Sequence, residues 1–294
     1  MAGSTKPAGS IDVIPTGAAL GADVVGFDIH SVLDVDIATI RQAWLEHLVL
    51  RFRGQVFDDD VHRDFSLRFG PLDIAPSTRF AGKPWLPKHP EMSRISNIKI
   101  DGQVTGTLGD GELVWHTDMS YLETPPKGSL LHALEVPEEG GATWFLNMYR
   151  ALDDMPSDLR VAIEGRQIKH DATHNSSGAL REGMKDEDYA DVRDIPGAVH
   201  PIIRTHPETG RKALFLGRRP RSYVVGLPVD ESEELLDALW DHATGNSDFM
   251  WAQEWEPDDL ILWDNRCVMH RRDAFAPTAR RLMHRTVLLG DRPY

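Results

Sequence analysis

The sequence predicts a single domain, mainly β with flanking helices (α+β), built from many short strands. Three observations predict it. Runs of β-branched and aromatic residues recur along all 294 positions, cut by 24 glycines and 19 prolines, which is the punctuation of strands and turns. Four other stretches repeat their apolar residues at helical spacing. No internal repeat and no linker divides the chain, so one core is the simplest reading.

Residues 1–10, MAGSTKPAGS, read as a flexible tail, which leaves residues 11–294 as the domain. IDVIPTGAALGADVVGFDI then mixes β-branched residues with glycine and proline, predicting short strands and turns. DVDIATIRQAWLEHL follows a capping aspartate with Ile37, Ile40, Trp44 and Leu48 on one helical stripe, and VLRFRG turns β-like. DDDVHRDFSLRFGPL is a second helix, stopped at Gly70-Pro71. The stretch 79–111 is a long loop around a strand-like MSRISNIKI, and it borders whatever comes next. KGSLLHALEVP and GATWFLNMY are strands split by an EEGG turn; PSDLRVAIEG is helical. Residues 174–195 form a polar insertion, and both it and 79–111 are expected to act as lids. AVHPIIRTHPETGRKALFLG is a pair of strands about a PETG turn. DESEELLDALWDHATG is an amphipathic helix with Asp230 and Glu233 at capping-box spacing and Gly245 as its stop. Two further strand runs close the chain.

The formal net charge of −14 and the absence of a basic tract argue against nucleic acid as a partner. Cys267 is the one cysteine, which excludes an intramolecular disulfide framework and any zinc site of several thiolates. A reducing cytoplasm is the expected setting. No apolar run approaches the ~18 residues of a membrane span, so no membrane association is expected.

The informative stretch is VWHTDMSY at 114–121. On a strand, positions i and i+2 share a face, so His116 and Asp118 can converge on one cation. The pair alone is weak evidence, since such pairs arise by chance. His62 and Asp64 share the spacing but lie on a helix, where they diverge, and they read as a solvated face. His270, beyond the apolar run LILWDNRCVM, supplies a third candidate ligand. Two histidines, one carboxylate and open positions form the set used by non-haem Fe(II) oxygenases. After His270 cations crowd together: Arg271, Arg272, Arg280, Arg281, His284 and Arg285. For Arg271, Arg272 and Arg280, surface salt bridges are the ordinary expectation. Arg281 and Arg285 are four apart on the closing strand and can share a face, where a dicarboxylate would neutralise both.

These residues converge on a known family. WHTD, GGATWF, VHPIIRTHPETGRKALF, WDNRCVMH and RRLMHRTVLLGD, in this order, resemble the taurine and 2,4-dichlorophenoxyacetate dioxygenases from about Ile11 to Pro293. The resemblance implies a cupin-like, double-stranded β-helix (a distorted jelly roll). It implies Fe(II) held by His116, Asp118 and His270, with 2-oxoglutarate held by Thr143, Arg281 and Arg285. It further implies an O2-dependent hydroxylation that releases succinate and CO2, with C–O or C–S cleavage an open outcome. Asp118 itself favours oxygenation, because halogenating relatives lack that carboxylate. A homo-oligomer is expected on the same grounds.

The substrate is expected to be a small anion: a carboxylate, a sulfonate or a sulfate ester. In FLGRRPRSY either Arg218 or Arg219 binds it, or both make exposed salt bridges. Tyr121, Phe80, Trp85 and Trp115 line an apolar pocket or pack in the core. Two rival readings are a metal-dependent hydrolase or isomerase on the same barrel, and a binding protein without turnover.

Overall fold

A computed structural model of the chain describes residues 11–111, 113–181, 184–185 and 189–294; the expected tail 1–10 lies outside them, as does the side chain of Phe80. The chain opens with β1 (Asp12–Pro15), β2 (Ala22–Val25), α1 (Asp34–His47), β3 (Val49–Phe52), α2 (Asp59–Leu67) and α3 (Pro76–Ala81). Next come β4 (Ser93–Ser96), β5 (Lys99–Ile100), β6 (Gln103–Val104), β7 (Thr107–Leu108), β8 (Leu113–His116), β9 (Gly128–Glu135) and β10 (Thr143–Asn147). The middle holds α4 (Met148–Asp153), α5 (Ser157–Ile163), β11 (Gln167–Lys169), β12 (Val199–Pro201), β13 (Ile203–Thr205), β14 (Lys212–Leu214) and β15 (Tyr223–Val224). The last part is α6 (Val229–Thr244), β16 (Met250–Gln253), β17 (Leu260–Asp264), β18 (Val268–Arg272) and β19 (Leu282–Leu288).

Two sheets carry the fold. The larger runs in the order β1-β2-β3-β17-β9-β19-β4-β7 and the smaller in the order β16-β10-β18-β8. Nearly every pairing is antiparallel, as a jelly roll requires. The large sheet is buried on both faces, and β17 shows how. Ile261 and Trp263 point into the space between the sheets, where Trp263 meets Phe145 at 5.9 Å and His270 at 5.1 Å between ring centroids. Leu260 and Leu262 point the other way, into a cluster with Ile37, Ile40 and Trp44 of α1 and Phe65 of α2. Burying each such side chain contributes roughly 1.5–3 kcal/mol. Gly128 on β9 lets Trp44 in: a Cβ there would stand 2.5 Å from the indole ring. Among the described residues, no helix is long and apolar enough to cross a membrane.

Three local expectations need correction. The 79–111 stretch holds β4 and β5 within the strand-like MSRISNIKI, as expected, and also β6 and β7, which the loop reading passed over. The capping box expected at Asp230 and Glu233 is not formed; Pro228 is the N-cap of α6, and Glu233 instead pairs with Arg219. His62 is fully buried rather than solvated, because it shares the inward face of α2 with Phe65 and Ser66.

His62 packs against Phe57 and His132, and Phe57 stacks on His132 at 3.8 Å. Burial pushes His62 down to about 3 and His132 down to about 4, the latter against the pull of Asp258. Both folded values lie below the ordinary ~6.5, so the unfolded chain binds these protons first as pH falls. Their stabilising contribution is full above about pH 6.5 and is lost progressively as pH falls toward 4. Calorimetric melting of the metal-free protein should therefore show Tm falling across that window, with a shallower fall in His62→Gln. An equal slope in the variant would remove His62 from the account.

Candidate active site

β8 and β18 are neighbours in the small sheet, and their register places His116 opposite His270. Asp118 is not on the strand, as the spacing suggested, but in the turn that follows β8. The turn still folds its carboxylate back: His116 Nε2 lies 3.5 Å from Asp118 Oδ1, and His270 Nε2 lies 4.0 Å from Asp118 Oδ2. The three side chains are buried, and one ligand atom from each lies within 4.8 Å of the others. That spacing suits a single divalent cation.

The chemistry of the donor set fits as well. His116 Nδ1 donates to the Val114 carbonyl at 2.7 Å, which leaves the Nε2 lone pair for a metal. Burial, reinforced by His116, pushes His270 down to about 3, so it too is a neutral ligand. Asp118 is held well below the usual carboxylate range: Arg285, His270 and His116 overcome the burial that would raise it. Arg285 Nη1 donates to Asp118 Oδ2 at 2.8 Å.

Residues that the sequence reading passed over hold this geometry. Asn265 accepts the Asp118 N–H at 2.9 Å and donates to the carbonyls of Asp118 and Pro126, which fixes the turn on both edges. Gly217 accepts the Thr117 N–H at 2.9 Å. Its φ is +70°, and a Cβ there would stand 2.1 Å from His170 Nδ1, so no larger residue fits. Trp255 Nε1 donates to Thr143 Oγ1 at 3.0 Å and so leaves the threonine its own proton to give. Asn97 accepts the Arg281 backbone N–H at 3.0 Å.

A cavity of about 580 Å³ opens beside the three ligands and is lined by His116, Asp118, Arg285, Trp85, Leu108, Met119, Tyr121, Leu180, Arg181 and Arg218, among others. Three of the sequence candidates for the substrate pocket, Trp85, Tyr121 and Arg218, are therefore brought to it. Arg219 is not: Glu233 and Asp237 of α6 hold its guanidinium outside the cavity. Trp115 lies outside as well, under the Arg271 guanidinium. Arg285 stands on the cavity wall, while Thr143 and Arg281 are buried and do not line it. Of the 174–195 stretch, Asn175, Ser176, Leu180 and Arg181 reach the cavity.

Comparison with known proteins agrees with this geometry. Residues 12–287 match the family model "Taurine catabolism dioxygenase TauD, TfdA family". The chain is 34% identical to an alpha-ketoglutarate-dependent 2,4-dichlorophenoxyacetate dioxygenase of Cupriavidus pinatubonensis, over 96% of this chain and 99% of that one. It is 33% identical to an (S)-phenoxypropionate/alpha-ketoglutarate-dioxygenase of Sphingobium herbicidovorans, over 96% of each. The crystal structure of a taurine dioxygenase from Burkholderia xenovorans superposes with a TM-score of 0.76 at 30% identity, covering 97% of this chain and 92% of that one. With its jelly roll and its two-histidine, one-carboxylate centre, the chain belongs to the TauD/TfdA family and is an Fe(II)- and 2-oxoglutarate-dependent dioxygenase.

Proposed function

We propose that His116, Asp118 and His270 hold the iron, that Thr143, Arg281 and Arg285 receive 2-oxoglutarate, and that Arg218 receives the acid group of an aryl-bearing carboxylate of the phenoxyalkanoate type. Iron and the keto acid together supply the oxidative chemistry, in which O2 and 2-oxoglutarate end as succinate, CO2 and a hydroxylated product. The chain's own part is to hold the substrate's reacting carbon near the metal and to keep water out. Hydroxylation of a carbon that bears an ether oxygen gives a hemiacetal, which collapses to a phenol and a carbonyl acid.

One observation carries the substrate reading. Arg218 is only 8% exposed yet lines the cavity, and its hydrogen bonds go to the carbonyls of His174 (2.6 Å) and Asp171 (3.3 Å) rather than to a carboxylate. The Asp171 carboxylate is itself engaged by Thr173 and His174. Burial and the neighbouring Arg181 push the Arg218 guanidinium below its ordinary value, a cost that an incoming anion relieves. Trp85, Met119, Tyr121 and Leu180 supply the apolar walls for an aryl group. Of the relatives named above, the two at 33% and 34% identity are named for phenoxy acids and support the same class, whereas the taurine dioxygenase is named for a sulfonate.

The test is succinate formation across aryloxyacetates, alkyl sulfonates, alkyl sulfates and plain carboxylic acids, with His116→Ala as the silent control. Arg218→Met should raise KM for the preferred anion by about 10- to 100-fold, the worth of one charge-assisted hydrogen bond, and leave KM for 2-oxoglutarate within about twofold. Arg219→Ala should change neither. An equal rise in both constants for Arg218→Met would sink the assignment, and a sulfonate or sulfate as best substrate would move the class.

A further inference from the structure

β18 ends in two arginines with opposite fates. Arg271 turns outward and pairs with Asp273 at 2.5 Å. Arg272 turns inward and is 3% exposed, although surface pairing was the expectation for it. Its Nη2 donates to the carbonyls of Leu108 and Gly111, while its Nε and Nη1 are buried with no acceptor among the described residues. Arg281 is electrostatically coupled to it, is 2% exposed, and has a bare Nε. Neither guanidinium has an ion-pair partner among the described residues. The Asp110 carboxylate attracts Arg272 from beyond ion-pair distance, while Arg272 and Arg281 repel one another.

Arg272 has the Phe275 ring beneath it, yet two buried guanidiniums that repel one another and keep bare N–H groups are costly, and an entering anion relieves that cost. Register says where it would sit. Arg272 is the direct cross-strand partner of Thr143 and lies two residues beyond His270, hence on the same face as both. The Thr143 hydroxyl, which already accepts from Trp255, has a proton to give in the same place. Thr143, Arg281 and Arg272 thus gather donors that lack acceptors at one end of the small sheet.

We infer that Arg272 is a second cationic partner, beside Arg281, for the distal carboxylate of 2-oxoglutarate. The inference rests on the proposed roles of Thr143 and Arg281. Through its Nη2 the same side chain ties the acid to the Leu108–Gly111 turn, and Leu108 is part of the cavity wall. Keto-acid binding and the shape of the substrate cavity are coupled through one guanidinium. The site is built to demand a dicarboxylate.

Calorimetric titration of the Mn(II)-loaded protein, without oxygen, tests this. The probes are 2-oxoglutarate and 2-oxovalerate, which keeps the five-carbon keto acid but carries a methyl in place of the distal carboxylate. Arg272→Met and Arg272→Gln should weaken 2-oxoglutarate by about 10- to 100-fold and leave 2-oxovalerate within about twofold. Arg272→Lys, which keeps the charge and guards against a variant that fails to fold, should recover part of the loss. Equal weakening of both acids would make Arg272 a clamp for the turn only. No change in either would mean that water satisfies the bare donors, and either result overturns the inference. Arg281→Met separates the two levels: if it weakens 2-oxoglutarate while the Arg272 variants do not, only the new assignment falls, and if none has an effect, the proposed keto-acid end falls with it.

Discussion

Asp118→Ala is expected to leave the protein folded, nearly free of iron, and without detectable succinate production. The aspartate is the one anion among three buried ligand side chains, so its loss removes the charge that makes two neutral imidazoles a site for a dication. It also strands Arg285, whose Nη1 donates to that carboxylate at 2.8 Å, leaving a buried cation where the metal should be. Breaking a buried pair of this kind costs about 3–5 kcal/mol of stability, and the loss of the one charged ligand weakens metal binding in addition. Asp118→Asn distinguishes charge from shape. It keeps an oxygen ligand and the backbone clamp of Asn265, so it should retain the fold and still bind iron weakly. Metal content by atomic absorption, read beside succinate formation, is the check. Normal iron occupancy in Asp118→Ala would mean that the ligand set is wrong.

The parts of the site legible in the sequence were those set by spacing along one element. His116 and Asp118 could be paired from a two-residue interval, and the pairing stands although Asp118 lies in a turn, because the turn brings the carboxylate back to the same face. The same argument misplaced His62, since helical periodicity shows which residues share a face but not whether that face meets a sheet. Arg218 and Arg219 are adjacent and chemically identical in the sequence; the acids of α6 capture one of them, and those acids are remote in sequence. Arg272 carries the same expectation of a surface salt bridge as Arg271 and Arg280, yet on β18 it shares the inward face with His270, opposite Thr143. Asn265 could not be found at all: an asparagine in a turn ordinarily serves the turn, and its partner Asp118 is 147 positions away. What escaped reading is thus pairing between distant segments, which depends on strand order rather than on local pattern.

Asp264→Asn is expected to be strongly destabilising, although the residue touches no proposed ligand. Asp264 ends β17, is fully buried, and receives Arg266 Nε at 2.8 Å, Arg266 Nη2 at 2.7 Å and His206 Nε2 at 3.0 Å. His206 Nδ1 accepts the backbone N–H groups of Glu208 and Thr209, so its proton is on Nε2 and the donation to Asp264 is unambiguous. With both ring nitrogens engaged and the Cys267 thiol pushed up by burial, the trio His206, Asp264 and Cys267 is a structural network and not a second metal site. Its partners hold Asp264 far below the usual carboxylate range. The stability it contributes is therefore present above about pH 4 and lost as pH falls further. At neutral pH the asparagine would leave the buried Arg266 with Glu208 alone, a loss of about 3–5 kcal/mol. Urea unfolding of the metal-free protein should show it as a lower midpoint with an unchanged slope. Arg280→Ala, which breaks the exposed pair with Glu135, should cost no more than about 1 kcal/mol. The turn from Asp264 to Val268 joins the two sheets: Asn265 in it clamps the Asp118 turn, and His270 follows two residues later on β18. A loosened turn should weaken metal binding by about 10-fold or more alongside the loss of stability, because the same five residues hold both. If Asp264→Asn lost stability but bound iron as tightly as wild type, the turn would be a buttress of the fold and no part of the support of the metal centre.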